Sequence, residues 1–508
     1  MTKFRKYVNV RHGLDLKDYW DLHRWSTGTP EEMNDFWTAF WDWAGIIGDK
    51  GIAPLFDASG HITETRRFLG RARLSWAENI LLSHPFARSK TQMALISSIE
   101  PDPTVDERDR LASSDLQSFT FDELYIQVAR AASGLRTLGI GVGDRVAAFT
   151  PNNAEAVVLV IATSSLGAIW SSVSPEFGVT YRSAGKDVDI IPKLAEIAAS
   201  LKVGGLQHIV LVGHLNKDRK PKASLRVIGG VNVMAYPDLL DPHTFEIKFW
   251  RGPSNAPLWE PLLAGKPKAI VHGQLAMIFA WKQGALLHQG LKPGDRHMQI
   301  TTTGWMMWNA MVCHLCCGIT IVLYDGNPLS PSRTIMFDLV DAHHVTSFSL
   351  SPRYLQILVQ NGVKPKETHS LASLNVICTT GSPMKADLYA YIRDCIHPVF
   401  ISNSSDVCAN LMGPVPDLPI HAGSIQAPVL GAALEAWDDT GKRSNDGEGD
   451  LVVTKPYPMM PLGFLGDDTT QTKFRDAYFN HYPHTTVWYH ADHGKFHLFP
   501  YIYEIETD

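Results

Sequence analysis

Apolar residues recur along this chain in two periods, and the change from one period to the other marks its elements. From Leu95 to Val173, short apolar runs alternate with amphipathic stretches. Phe119-Thr120 opens a helix through Asp122 and Glu123, acidic residues that suit a first helical turn. Asp144 to Phe149 predicts a strand, Ala154 to Leu166 a helix, and Ala168-Ile169-Trp170 the next strand. Strand and helix in alternation predict a parallel, doubly wound sheet. Ahead of this, Trp20, Trp25, Trp37, Trp41 and Trp43 fall at spacings that suit amphipathic helices packed on the outside of that sheet. The charged, Ser-containing stretch from Pro101 to Asp115 predicts an exposed loop, and Asp438-Asp439-Thr440-Gly441 a turn between strands.

One junction stands out. In Ile300-Thr301-Thr302-Thr303-Gly304-Trp305-Met306-Met307-Trp308-Asn309 a β-branched run enters a glycine and leaves through two tryptophans spaced i, i+3. That pattern predicts a buried strand turning into a helix whose aromatic face lines a cavity, the place where an open α/β sheet keeps its ligand. An isolated Trp-x-x-Trp is more often plain core, so its weight comes from context.

Composition narrows the classes. The chain has 508 residues, 45% hydrophobic and 19% charged, which suits a folded globular protein. A net charge of -6 without a long Lys/Arg cluster leaves no basic face for nucleic acid. No apolar run is long enough to span a membrane and no secretory signal follows Met1-Thr2-Lys3-Phe4-Arg5-Lys6, so the expected compartment is cytoplasmic, with a homo-oligomer left open. Six cysteines over this length do not make a disulfide framework. Cys313-His314-x-Cys316-Cys317 lacks a second paired set and zinc spacing, and predicts small buried side chains.

Further segments supply the context: Leu138-Gly139-Ile140-Gly141-Val142-Gly143-Asp144-Arg145, Pro151-Asn152-Asn153, Gly167-Ala168-Ile169-Trp170-Ser171-Ser172, Ser174-Pro175-Glu176-Phe177-Gly178 and Thr380-Gly381-Ser382-Pro383. With the Thr-Gly-Trp-Met-Met-Trp stretch and Arg73-Leu74-Ser75-Trp76-Ala77-Glu78-Asn79, they resemble the adenylate-forming (acyl-CoA synthetase) superfamily, and within it the acetoacetyl-CoA synthetases. The resemblance implies an α/β fold, the large N-terminal domain of the adenylate-forming fold. That domain has two doubly wound sheet subdomains and a β-rich subdomain. It divides the chain into a helical extension (1–90), a first α/β subdomain (91–254), a second with the ligand crevice (255–420) and the β-rich part (421–508). The family's mobile C-terminal domain, on the order of a hundred residues, is expected to be absent.

The resemblance also implies residue roles. Gly265 and Lys268, with Thr380, Gly381, Ser382, Pro383, Ser405 and Asp492, take the nucleotide-binding positions, Asp492 at the ribose hydroxyls; Asp406 takes the metal position. Thr303, Gly304, Trp305, Met306, Trp308 and Ser351 take the acid-binding pocket. ATP with magnesium, CoA and a small carboxylic acid are the implied ligands, and acyl-adenylate followed by acyl-CoA the implied products.

Two departures alter this expectation. The segment after Gly178 is shortened before Ile190. The run Pro257-Leu258-Trp259-Glu260-Pro261-Leu262-Leu263-Ala264-Gly265-Lys266-Pro267-Lys268 stands where the family has a Ser/Thr/Gly-rich phosphate loop, and it holds no Ser or Thr. A phosphate cradle needs free backbone N–H groups, hydroxyl donors and small residues. Impaired ATP chemistry is therefore expected, with the acid pocket kept. The alternatives are an ATP-independent enzyme working on another organic acid or polyketide-like molecule, with His272 or His490 as general acid or base, and a non-catalytic homologue.

Overall fold

The computed structural model describes every residue except 53–61, 63–68, 102–116, 175–181, 184–185, 188–190, 203, 214–225, 260–269, 383, 398–399, 404–408, 446, 483, 498–501 and 506–508. Its largest sheet has seven strands, in the spatial order Phe400–Asn403, Val376–Thr379, Ser347–Leu350, Arg296–Gln299, Thr320–Asp325, Met93–Ile99 and Gln117–Thr120. The first six are mutually parallel and the last is antiparallel. Alternate residues of its strands enter different cores: Ile321 and Leu323 join one apolar cluster, Val322 and Tyr324 the other. A strand covered on both faces reads as a continuous hydrophobic run, as Thr320–Asp325 does.

A second sheet of five strands runs Gly463–Phe464, Ile270–Gly273, Pro257–Trp259, Ile169–Val173, Arg145–Phe149. The predicted strands at 144–149 and 168–170 pair in parallel here, Val146 opposite Trp170. The helix Phe121–Thr137 begins with a capping box: Thr120 Oγ1 accepts from the Glu123 N–H at 3.2 Å and Glu123 accepts from the Thr120 N–H at 2.8 Å. Asn153 caps Ala154–Ser165 with its side chain alone, Oδ1 accepting from the Ala156 N–H.

The N-terminal helices Thr2–His12, Tyr19–Ser26 and Pro30–Trp43 are more than an outer covering. Phe4, Leu22, Phe36, Trp37 and Phe40 belong to the same apolar cluster as Trp170 and Trp308. Trp37 lies flat on Phe279, centroids 5.1 Å apart and planes 8° off parallel. Beneath them, Lys282 is 1% exposed and donates to three main-chain carbonyls, Ala44 at 2.9 Å, Ser83 at 2.8 Å and Cys316 at 2.8 Å. An ammonium has three donors, and all are used, which is how a buried charge is tolerated.

Cys313, Cys316 and Cys317 are buried; burial pushes the Cys313 thiol up, and the neighbouring Cys316 sulfur, with burial, pushes that of Cys317 up. Among the described residues no His, Cys, Asp or Glu group is arranged to hold a metal ion. No helix among them is long and apolar enough to cross a membrane. The C-terminal region carries an antiparallel four-stranded sheet, Leu434–Trp437, Glu448–Val453, Trp488–His497 and Ile502–Ile505. Asp438 to Gly441 turns back on itself, Gly441 N–H donating to the Asp438 carbonyl at 2.9 Å.

Candidate active site

In the large sheet, the chain leaves Arg296–Gln299 toward Thr320–Asp325 on one side. It leaves the neighbouring strand Ser347–Leu350 toward Val376–Thr379 on the other. Where two adjacent parallel strands part their loops in this way, a crevice opens beyond their carboxyl ends. The residues that follow these ends are Ile300 to Trp305 and Ser351, with Thr380 to Ser382 one strand further out.

The first of these loops is pinned from the second sheet. Thr302 to Trp305 forms a turn in which the Trp305 N–H donates to the Thr302 carbonyl at 3.0 Å. Thr303, buried inside that turn, donates its hydroxyl to the Thr150 carbonyl at 2.5 Å, and its own carbonyl accepts from Ser172 Oγ at 2.6 Å. Thr150 follows the strand Arg145–Phe149 and Ser172 lies near the end of Ile169–Val173. The carboxyl ends of parallel strands from both sheets therefore meet at one turn, and that turn opens the helix Met306–Cys313.

The two tryptophans separate. Trp305 precedes the helix and is 42% exposed, a flat apolar surface at the crevice. Trp308 is 0% exposed, and its Nε1 donates to Asn152 Oδ1 at 2.9 Å. This corrects the expectation that both line a cavity: Trp308 presents no surface to a ligand and instead ties the helix to the Pro151-Asn152-Asn153 loop. Met306 is buried, and Gly304 is partly exposed. Ser351 is exposed and caps the helix Pro352–Gln360, its Oγ accepting from the Tyr354 N–H at 3.2 Å. Gly381 has φ 88°, a left-handed conformation open to a glycine, and with Ser382 it is exposed beside the partly exposed Thr380.

His272 lies elsewhere. It pairs with Trp259, which pairs in turn with Trp170, three residues short of the Val173 end of its strand. At ~3.3 Å per residue that is roughly 10 Å below the edge. His272 is 2% exposed, and burial lowers its pKa to about 3. A neutral interior imidazole has no proton to give as a general acid, and of the two roles expected of His272 only that of general base suits its neutral form. His490 and Asp492 stand together, Nδ1 to Oδ2 3.0 Å, on the antiparallel four-stranded sheet. Between Tyr489, opposite Val452, and His493, opposite Asp450, the strand carries extra residues against one, Leu451. Such a bulge re-aims the side chains it contains.

Gly265, Lys268, Pro383, Ser405 and Asp406 lie outside the described residues; of the stretch after Gly178, the described part is a short antiparallel pair, Arg182–Ser183 with Lys186–Asp187. Pro257, Leu258 and Trp259 are not loop: they form a strand that pairs antiparallel with Ile270–Gly273. Sequence reasoning overlooked Thr150, Asn152, Ser172 and Thr302 as parts of the site. Asn152 and Ser172 sit inside quoted segments, but nothing local shows that they reach the 303 to 308 turn, more than a hundred residues away (153, 156 and 131 positions for the three bonds).

Comparison with known proteins agrees with this geometry. A family model described as AMP-binding enzyme matches residues 103–224 and 264–462. The acetoacetyl-CoA synthetase of Rattus norvegicus is 34% identical over 524 residues, 97% of this chain and 74% of its own. The acetoacetyl-coenzyme A synthetase of Rhizobium meliloti is 31% identical, over 97% of this chain and 75% of its own. Malonamoyl-CoA synthetase vrtB of Penicillium aethiopicum is also 31% identical, over 97% and 70%. The solved structure of acetoacetyl-CoA synthetase from Streptomyces lividans superposes with a TM-score of 0.87 at 30% identity, covering 99% of this chain and 77% of that one. With two sheets joined at a switch-point crevice and these matches along nearly its whole length, the chain belongs to the AMP-binding enzymes, as an acetoacetyl-CoA synthetase-like adenylate-forming ligase.

Proposed function

We propose that the chain binds a short β-keto carboxylic acid in the crevice at Thr302 to Trp305 and that its grip on the ATP phosphates is weak. The observation that carries the first half is the turn itself. It presents the exposed ring of Trp305 above a bed fixed from both sheets by Thr303, which is the apolar wall with few polar groups that a small organic acid requires. In the inherited reaction the acid's carboxylate oxygen attacks the α-phosphorus of ATP, the bond to the β-phosphate breaks, and pyrophosphate leaves. The sulfur of CoA then attacks the acyl carbonyl and AMP departs. Positioning and charge neutralisation are the protein's share of both steps.

The second half rests on sequence. Between the strands Pro257–Trp259 and Ile270–Gly273 the connecting run Glu260-Pro261-Leu262-Leu263-Ala264-Gly265-Lys266-Pro267-Lys268-Ala269 offers no hydroxyl, and its prolines lack N–H groups. Each hydrogen bond withheld from a charged group is worth roughly 1.5–3 kcal/mol. The residues proposed for magnesium and the phosphates, Asp406, Ser405, Gly265 and Lys268, would supply charge neutralisation for the triphosphate. The same run favours a second reading, in which the acid crevice serves an ATP-independent step or binding alone.

Titration with millimolar magnesium-ATP tests the weak grip. The melting temperature is expected to rise by about a degree or less, whereas saturation at a hundred times Kd would add about 2.7 kcal/mol of stability. A large shift, together with acetoacetate-dependent exchange of pyrophosphate into ATP, would refute the weak grip and establish the full ligase. Exchange absent, with acetoacetate still bound, would favour the second reading.

A further inference from the structure

The turn that holds Trp305 also contains a hydroxyl with nothing to do. Thr302 Oγ1 is covered from solvent and has no hydrogen-bond partner among the described residues, although the residue as a whole is partly exposed. Its neighbour Thr303 spends its hydroxyl on Thr150, so the two threonines of one turn are used differently. One helical turn beyond Trp305, Asn309 is 3% exposed and its Oδ1 is likewise without a partner. Buried polar groups in folded proteins are nearly always paired, and leaving one unpaired costs about 1–3 kcal/mol. Two such groups on a single strand-to-helix junction, at the switch point of the sheet, mark a place where polar pairing is supplied from outside the chain.

The geometry points to Thr302 as the residue that reads the acid, by donating its hydroxyl to the carbonyl oxygen on the β-carbon. This rests on the acid-binding reading above and deepens it. The relatives support the chemistry: acetoacetyl and malonamoyl groups differ at the far end, yet both carry a carbonyl two carbons from the thioester carbon. No bond holds the Thr302 hydroxyl in its present orientation, so a rotation of about 120° about χ1, between staggered wells, re-aims it on a residue that is itself partly exposed, at no cost in hydrogen bonding. The Oδ1 of Asn309, unpaired as well, lies one turn further along the helix. A site built to bond a substrate oxygen rejects the analogue that lacks it, because its own polar groups are then left unpaired.

The experiment compares acetoacetate with butyrate, which has the same carbon skeleton and no β-oxygen, by calorimetric titration of the full chain. Wild type is expected to bind acetoacetate at least tenfold tighter. Thr302→Val keeps the shape and removes the donor; it should lose five- to twentyfold on acetoacetate and leave butyrate unchanged. Thr302→Ser should keep most of the discrimination, which a merely structural role for the side chain would not predict. If the valine variant does not fold, Thr302→Ala gives the same readout. Unchanged discrimination in the valine or alanine variant overturns the assignment of Thr302 while the acid-binding reading stands. Failure of wild type to bind either acid overturns both.

Discussion

Trp305 and Trp308 differ by three positions and by almost everything else. Replacing Trp308 with alanine removes a fully buried ring and orphans Asn152 Oδ1, so a loss of about 3–5 kcal/mol in urea unfolding is expected. Trp305→Ala should leave stability within about 0.5 kcal/mol and weaken acetoacetate binding, measured by the same titration as above. Equal destabilisation by both would mean that Trp305 is also core. The sequence shows both residues with the same clarity and cannot rank them. Their difference in depth depends on Asn152 arriving from 156 positions away. His272 teaches the same lesson in reverse: a histidine next to a glycine at a strand end reads as a candidate base, and only the ladder through Trp259 to Trp170 shows it sunk in the interior.

At the scale of elements, parallel strands of the two sheets are tied together at Thr303. Thr303→Val should cost about 1–3 kcal/mol, the penalty of leaving the Thr150 carbonyl without its donor. Ser172→Ala removes the other bond of the same turn. The two changes share a residue, so a double-mutant cycle should show a coupling above about 0.5 kcal/mol; strict additivity would mean that the sheets are held independently of this turn. The elements themselves were readable. Thr120 with Glu123, Asn153, and the apolar runs at 145–149 and 169–173 announce their starts through capping chemistry and period. What sequence leaves dark is pairing at long range. Pro257-Leu258-Trp259 looks like part of a loop because of its prolines and neighbours, and becomes a strand because Ile270–Gly273 lies beside it.

Over the whole molecule, burial governs how stability answers to pH. His23, His84, His288 and His314 are lowered to about 4 and His272 to about 3, each chiefly by desolvation. The native state refuses protons that the unfolded chain accepts near pH 6.5, so unfolding takes up protons as the pH falls through that value. Stability from this source is complete above about 6.5 and is lost progressively down to about pH 4, at about 1.4 kcal/mol per pH unit for each proton taken up. Urea midpoints should hold level from pH 8 to 7 and drop steeply by pH 5. A midpoint unchanged at pH 5 would show that these imidazoles are not neutral in the native protein.

The three carbonyls around Lys282 also say something about the order of assembly. They come from positions 238, 199 and 34 residues away, so the nest cannot exist until the N-terminal helices, the segment before Ser83 and the cysteine-bearing turn have all arrived. Until then the ammonium keeps its water, because a partly built nest would strand a charge in a low-dielectric interior. Contacts this distant are slow to form. Closure over Lys282 thus cannot precede the docking of Ala44, Ser83 and Cys316 around it.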